Sequence, residues 1–335
     1  MSNHSKEHMW AILLRLGVNT NAKPGDCRPY EMEDEFCYHE KLFCDKEIWR
    51  KVTEYFPTEG INTVVIDINE GVKLDSHPEL AVPGSWEKEE FKEELRRLRT
   101  LGLTPIPKFN FSCAHNAWLK EYAYQIGTDA YRQVCEDIVV ETIEIFDHPE
   151  FFHLGMDNEE AEYQKYSPVK IVRSWKQKTE DALALFNICL GKGVRPWIWL
   201  NAKNVEEYGG EERFKANIPK EVLISNGCYM AVHPADVGEK LSSNTALFNK
   251  LDEWGYEQVP VCNRKNWAPN ILQTLRYGKG EVSQESIKGY LIAPWVPTMP
   301  DYYYELLLNA DMLGFAMETV YPEERMKKEG AHDGK

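Results

Sequence analysis

The chain contains no apolar run near the roughly 20 residues that a membrane-spanning helix needs. Its first residues, Met1 to His8, lack the basic segment and apolar stretch of a secretory signal. These absences argue for a cytoplasmic protein, or for an exported one whose signal has been removed. Positive charge is also in short supply, with 39 Lys and Arg against 54 Asp and Glu and a formal charge of −15. A surface of that sign repels phosphate backbones and anionic lipids, so neither nucleic acid nor membrane is an expected partner, and a neutral substrate is the simpler expectation. Cys-x-x-Cys pairs are missing too: the cysteines fall singly at 27, 37, 44, 113, 135, 189, 228 and 262. Buried free thiols are the better reading, because the Cys37, His39, Cys44 cluster fits no common zinc spacing. No metal and no other cofactor is expected. No linker or low-complexity segment divides the chain.

What is present is bulk and aromaticity. With 335 residues and 43% hydrophobic content the chain can bury a large core. The 10 Trp and 17 Tyr supply flat rings with polar edges, as sugar-binding clefts use, although much of that content must be ordinary core. From Trp10 onward, short apolar runs alternate with helical patterns. Eight such runs occur, at Trp10 to Leu16, Asn62 to Ile68, Leu103 to Phe109, Phe151 to Met156, Val194 to Leu200, Val222 to Ser225, Val259 to Cys262 and Tyr290 to Trp295. Between them, apolar residues recur at helical spacing, as in Phe91, Leu95 and Leu98, and Gly102 and Gly193 stand where helices should stop. The expected fold is an α/β (β/α)8 TIM barrel, one domain over residues 1–335 with the barrel at about 9–320, and its active site lies at the C-terminal strand ends. The tail 322–335 reads as frayed, and the loop Lys23 to Lys46 as a cover for one side of the mouth. The Tyr-rich final helix leaves a homo-oligomer open, with packing on the barrel the simpler reading.

The fourth run carries the chemistry. Phe151-Phe152-His153-Leu154-Gly155-Met156 ends abruptly in Asp157-Asn158-Glu159-Glu160. If the strand continued, its period of two would point His153, Gly155, Asp157 and Glu159 the same way, so two carboxylates would share one mouth. A structural salt bridge to Arg or Lys is the competing account of those acids. Other strand ends contribute Asn19, Asn21, Asp67, Glu70, Asn110, His115, Asn201, Tyr229, Asn263, Arg264 and Trp295. Trp295 suits a platform beneath a sugar ring, and His153 suits a core histidine that orients Asp157. His115 is either a proton relay to the fourth-strand acids or an ordinary loop histidine.

These residues resemble a known pattern. The fourth-strand segment is similar to the His-x-Gly-Gly-Asp-Glu motif of family 20 glycoside hydrolases, the β-N-acetylhexosaminidases, with His153, Gly155 and Asp157 in register. Asn62 to Leu80 resembles the family's second-strand region ending in Pro-Glu-Leu, Pro107 to His115 its third-strand Pro-Glu-x-Asp-x-Pro-Gly-His pattern, and Trp295 its eighth-strand pocket tryptophan. The resemblance implies a carbohydrate substrate and a retaining, substrate-assisted mechanism in which Asp157 orients and stabilises the acetamido group. Asn158 stands where that family has its proton donor. The Asp157-x-Glu159 spacing instead resembles the Asp-x-Glu ending of family 18 chitinase-like barrels, which implies Glu159 as the general acid/base. With the strand-end candidates, the expected substrate contacts are Asp67, Asn110, His153, Asn158, Asn201, Tyr229, Asn263 and Trp295.

Departures are as specific as matches. The family's first-strand Arg has no counterpart near Asn19 to Lys23, Val296-Pro297 replaces a Glu after the eighth-strand Trp, and Asn110 replaces an Asp. The small domain that usually precedes the barrel is not recognised. Asn158-Glu159 also resembles the acid/base pair of the two-glutamate retaining clan, but the seventh strand, Val259 to Trp267, has no acid to act as nucleophile. Two further alternatives stay open: a carbohydrate-binding barrel without turnover, and metal-dependent hydrolysis by His115, His153 and Asp157, disfavoured because no His-x-His pair closes the first strand.

Overall fold

The computed structural model describes residues 7–21, 37–164, 167, 169–229, 242–265 and 267–324. Strands β1 (Met9–Arg15), β2 (Thr63–Asp67), β3 (Thr104–Lys108), β4 (Phe151–His153), β5 (Arg195–Trp199), β6 (Leu223–Ser225), β7 (Val261–Cys262) and β8 (Gly289–Ile292) coincide with the eight apolar runs. All pair in parallel, in the order β6-β5-β4-β3-β2-β1-β8-β7. Parallel bridges from Ile224 to Gln258 and from Gly227 to Val261 join the two ends of that row, closing a (β/α)8 barrel.

Period-two alternation produces two cores. Ala11, Leu13, Val65, Ile106, Phe151 and Trp197 fill the barrel with their counterparts on the other strands. The alternate residues, such as Ile12, Val64 and Phe152, meet the surrounding helices. These helices include α1 (Lys46–Tyr55), α2 (Lys88–Thr100), α3 (Asp129–Ile145), α4 (Trp175–Gly191), α5 (Ala202–Glu207), α6 (Glu211–Asn217), α7 (Ser243–Glu253), α8 (Asn270–Glu281) and α9 (Tyr303–Val320). Their starts are set by side chains: Asp45 accepts the N–H groups of Glu47 and Ile48, and Ser174 forms a capping box with Gln177. Gly102 and Gly193 follow α2 and α4 with φ of 83° and 74°, the left-handed exit that lets the chain turn into the next strand.

The structure differs from expectation at the tail. Residues 322–324 continue in helical conformation, and the Glu324 carboxylate accepts from the Trp10 indole at 3.0 Å and bonds His8 at 2.5 Å. Trp10 lies in β1 and His8 just before it, so the tail is tied there at least as far as Glu324. Residues 325–335 and 23–36 lie outside the described residues. Helix α9 packs against α8 and α1, with Tyr304 and Phe315 on its exposed side.

One carboxylate fastens a mouth loop to the helical ring. Glu141 on α3 accepts the backbone N–H groups of Asp75 and Ser76 at 2.9 and 2.8 Å and the Lys88 ammonium at 2.9 Å. Burial pushes its pKa up, but hydrogen bonds from Ser76, Lys88 and Asp75 outweigh burial and hold it at about 2. A folded pKa below the unfolded one means that this stabilisation is present in full above the unfolded pKa and is lost as pH falls toward the folded one, in all roughly 2–3 kcal/mol. Urea titrations of wild type and Glu141→Gln at neutral pH and at pH about 3 should show the variant less stable at neutral pH and less sensitive to acid. Parallel pH dependence in the two proteins would remove Glu141 from this role.

Candidate active site

The strand ends enclose a cavity of about 540 Å³, lined by residues from every strand or the loop beyond it. Extending the inward alternation one step beyond the apolar layer reaches Arg15, Asp67, Lys108 and His153, which are register partners on β1 to β4. All four are at most 4% exposed. Lys108 Nζ donates to Asp67 Oδ1 at 2.7 Å, and Arg15 Nε lies 3.9 Å from Asp67 Oδ2. Arg15 is thus a first-strand arginine, placed at the end of β1, upstream of the stretch Asn19 to Lys23 that lacks one.

Asp157 enters the cavity from the end of β4 and is held by two amides. Asn110 Nδ2 donates to Asp157 Oδ1 at 3.0 Å, and Asn158 Nδ2 donates to Oδ2 at 3.0 Å. The Asn110 amide cannot be reversed, because its oxygen accepts the N–H groups of Ser112 and Met156 at 3.1 and 3.3 Å. Asn158 Nδ2 also reaches His115 Nε2 at 3.2 Å, while His115 Nδ1 lies 2.7 Å from Asn21 Oδ1. Burial depresses the His115 pKa, against the raising influence of Asp157, so the ring is neutral with its proton on Nδ1 toward Asn21. His115 therefore contacts an amide and not the acid it was expected to serve.

Glu159 does not share the mouth. The extended conformation ends at His153; Gly155 and Met156 both have φ of 72° and Asn158 has φ of 51°, so the period of two no longer applies. A methyl on Gly155 would lie 2.5 Å from the Asn110 side chain, so Asn110 fills the space that the missing Cβ leaves. Beyond this turn the Glu159 side chain points away from the cavity toward α4. Arg173 Nε donates to its Oε2 at 2.9 Å and Arg173 Nη2 donates to Oε1, while Cys113 Sγ approaches Oε2 at 3.5 Å. Burial would raise the Glu159 pKa, but Lys178 and Arg173 more than offset it and keep the carboxyl ionised. Arg173 continues to Asp181 at 2.9 Å, which Arg132 also holds. The salt-bridge account of Glu159 is the one the geometry meets.

The remaining expected residues divide between mouth and scaffold. Asp67, Asn110, Asn158, Asn201, Tyr229 and Trp295 line the cavity. Asn201 also caps α5, its Oδ1 accepting from Lys203 and Asn204 at 2.9 Å. Trp295, with φ of 57°, sits 5.7 Å from Trp199 between ring centres. Burial raises the Tyr229 phenol pKa, opposed by a hydrogen bond with Trp295. His153 is fully buried against Trp199 and Trp197; its Nδ1 accepts the Gly155 N–H at 3.0 Å, so it supports the turn and does not touch Asp157. Asn263 is buried behind the mouth, its N–H donating to Asn270 at 3.1 Å. Glu70 is buried outside the cavity and accepts the N–H groups of Val18 and Asn19; burial raises its pKa to about 6. Among the described residues no three His, Cys, Asp or Glu side chains form a metal-binding group. Arg15, Lys108, Tyr163 and Trp199 line the cavity without having been singled out from sequence. A signal existed for two of them, since Arg15 and Lys108 are lone charges on the inward alternation of apolar strands.

No family model and no curated protein matches the chain. Solved structures do. The β-N-acetylhexosaminidase of Bacteroides fragilis superposes with a TM-score of 0.59 at 14% identity, over 91% of this chain and 65% of that one. A family 20 β-N-acetylhexosaminidase of Streptomyces coelicolor gives 0.60 at 12%, over 92% and 64%. A catalytic module of the pneumococcal exo-β-D-N-acetylglucosaminidase StrH gives 0.60 at 13%, over 93% and 83%. The barrel is like those of family 20 glycoside hydrolases. It is divergent from them in sequence, and it spans just under two thirds of the first two proteins.

The contrast between the two acids is measurable. Glu159→Gln leaves the buried Arg173 with part of its charge uncompensated and should cost about 3–5 kcal/mol in chemical denaturation. Asp157→Asn, which has no ionic partner within the described residues, should stay within about 1 kcal/mol of wild type. A Glu159→Gln protein as stable as wild type would contradict the structural assignment.

Proposed function

We propose that the cavity binds a sugar and that the chain is a glycoside hydrolase in which Asp157 is the working carboxylate. One observation carries this reading: among the described residues, Asp157 is the carboxylate that reaches the cavity with no ion-pair partner, its two oxygens aimed by Asn110 and Asn158. The cavity walls include the rings of Trp199, Trp295, Tyr163 and Tyr229, a lining suited to pyranose faces. Neighbouring barrels are named as β-N-acetylhexosaminidases, which supports a β-linked 2-acetamido substrate.

In the proposed reaction the acetamido oxygen attacks the anomeric carbon, and the glycosidic oxygen leaves with the bonding electron pair. Asp157 accepts the acetamido N–H and stabilises the positive charge that develops there. Water then opens the cyclic intermediate with retention. Glu159 is not proposed as the acid, because Arg173 holds its carboxylate away from the cavity. Asn158, beside Asp157, has no acidic proton to give. Departure of the leaving group therefore depends on that group's own acidity. The same lack of an acid favours a second reading, a carbohydrate-binding barrel without turnover.

Aryl 2-acetamido-2-deoxy-β-glycosides with a graded series of phenols should be hydrolysed at rates that climb steeply with phenol acidity. Asp157→Asn should lower kcat by roughly 100-fold or more. Turnover of plain glucosides and galactosides with none of acetamido sugars would sink the mechanism. Thermal stabilisation by sugars with no turnover of even the best leaving group would favour the binding reading.

A further inference from the structure

We infer that the sugar carries an acidic substituent, a uronate carboxylate or a sulfate ester, seated at the cavity floor against Arg15 and Lys108. This rests on the sugar-site reading above and narrows its substrate class; it reverses the neutral substrate that the chain's overall charge suggests. Four register partners make up the belt: Arg15, Asp67, Lys108 and His153, none more than 4% exposed. It holds two cations and one anion. Arg15, Asp67 and Lys108 line the cavity.

Hydrogen-bond accounting points the same way. An ammonium carries three N–H donors. Lys108 uses one of them on Asp67 Oδ1, the only acceptor among the described residues that bonds it. Arg15 uses Nη2 on the Val18 carbonyl and the Thr20 hydroxyl, both at 3.2 Å, while its buried Nε has no acceptor, Asp67 Oδ2 being 3.9 Å away. Next along the belt, His153 Nδ1 accepts from Gly155, which leaves the proton on Nε2, also buried and without an acceptor. The belt is therefore rich in donors and short of acceptors. Asp157 does not correct the balance: among the described residues the ion pairs of Arg15 and Lys108 are to Asp67, and none joins either to Asp157.

A buried cation excess is costly unless an anion completes it. In a chain of net charge −15, cations buried in the interior of a strand layer are not a by-product of composition. A carboxylate or sulfate on the sugar would supply both the missing charge and several acceptor oxygens, and a guanidinium beside an ammonium is a suitable cradle for either. Hydroxyls of a neutral sugar would supply acceptors but no charge, and that difference is what a binding experiment reads.

The test is calorimetric titration of the full chain with matched pairs: glucose against glucuronate, galactose against galacturonate, and N-acetylglucosamine against its 6-sulfate. At least one acidic member should bind tenfold or more tightly than its neutral partner. The uronate pairs and the sulfate pair distinguish the two sources of negative charge. In Arg15→Gln, which keeps donors but removes the charge, the ratio of acidic to neutral affinity should collapse toward one. Lys108→Gln provides an independent check should Arg15→Gln fail to fold. Equal or tighter binding of the neutral members by wild type overturns the inference while leaving a sugar site standing. Binding of no sugar in the panel overturns the inference and the sugar-site reading together.

Discussion

The carboxamide of Asn110 is the interaction on which the mouth of the barrel depends. Its oxygen takes two backbone N–H groups, from Ser112 on its own strand end and from Met156 on the next, and its nitrogen is thereby turned to Asp157. The same side chain rests where a Cβ on Gly155 would be, so the left-handed turn of β4 and the placement of Asn110 require each other. A strand that continued straight would carry Glu159 inward beside Asp157. The turn sends Glu159 outward to Arg173 and leaves Asp157 alone over the cavity.

Two charge systems lie on opposite sides of that turn, and burial gives them different meanings. Behind it, Glu159, Arg173, Asp181 and Arg132 alternate in sign, and each carboxylate has a guanidinium partner. Such a network is expensive to bury but complete, and it ties α3 and α4 to the end of β4. Inside the barrel, Arg15, Asp67 and Lys108 are buried but do not balance. A complete network reads as scaffold. An incomplete one that opens on a cavity reads as half of an interaction whose other half comes from outside.

The fold was legible in the sequence to a degree that the chemistry was not. Eight apolar runs separated by helical patterns correspond one to one with the barrel strands, because strands buried on both faces must be continuously apolar. Asp157 was legible as a mouth residue, since an acid directly after such a run has little choice but to emerge at the strand end. Glu159 was not, for two reasons: the positive φ at Met156 has no sequence signature, and Arg173 lies 14 residues away with nothing in the spacing to mark it as a partner. Arg15 and Lys108 were legible in the alternation. They continue the inward series Ala11, Leu13, Arg15 and Ile106, Lys108, as lone charges within the strands and not in the loops beyond them.

By itself the sequence determined the number and order of the strands, the inward alternation that fills the barrel, and the presence of acids at the fourth strand end. All three rest on periodicity and burial, which are local properties of a chain. Only the tertiary structure decided which acid faces the cavity, which is neutralised behind it, and that two cations share one carboxylate on the floor. Those outcomes depend on partners brought together from distant strands and on a backbone turn stabilised by a neighbouring strand's side chain, and neither is written in the spacing of residues along one segment.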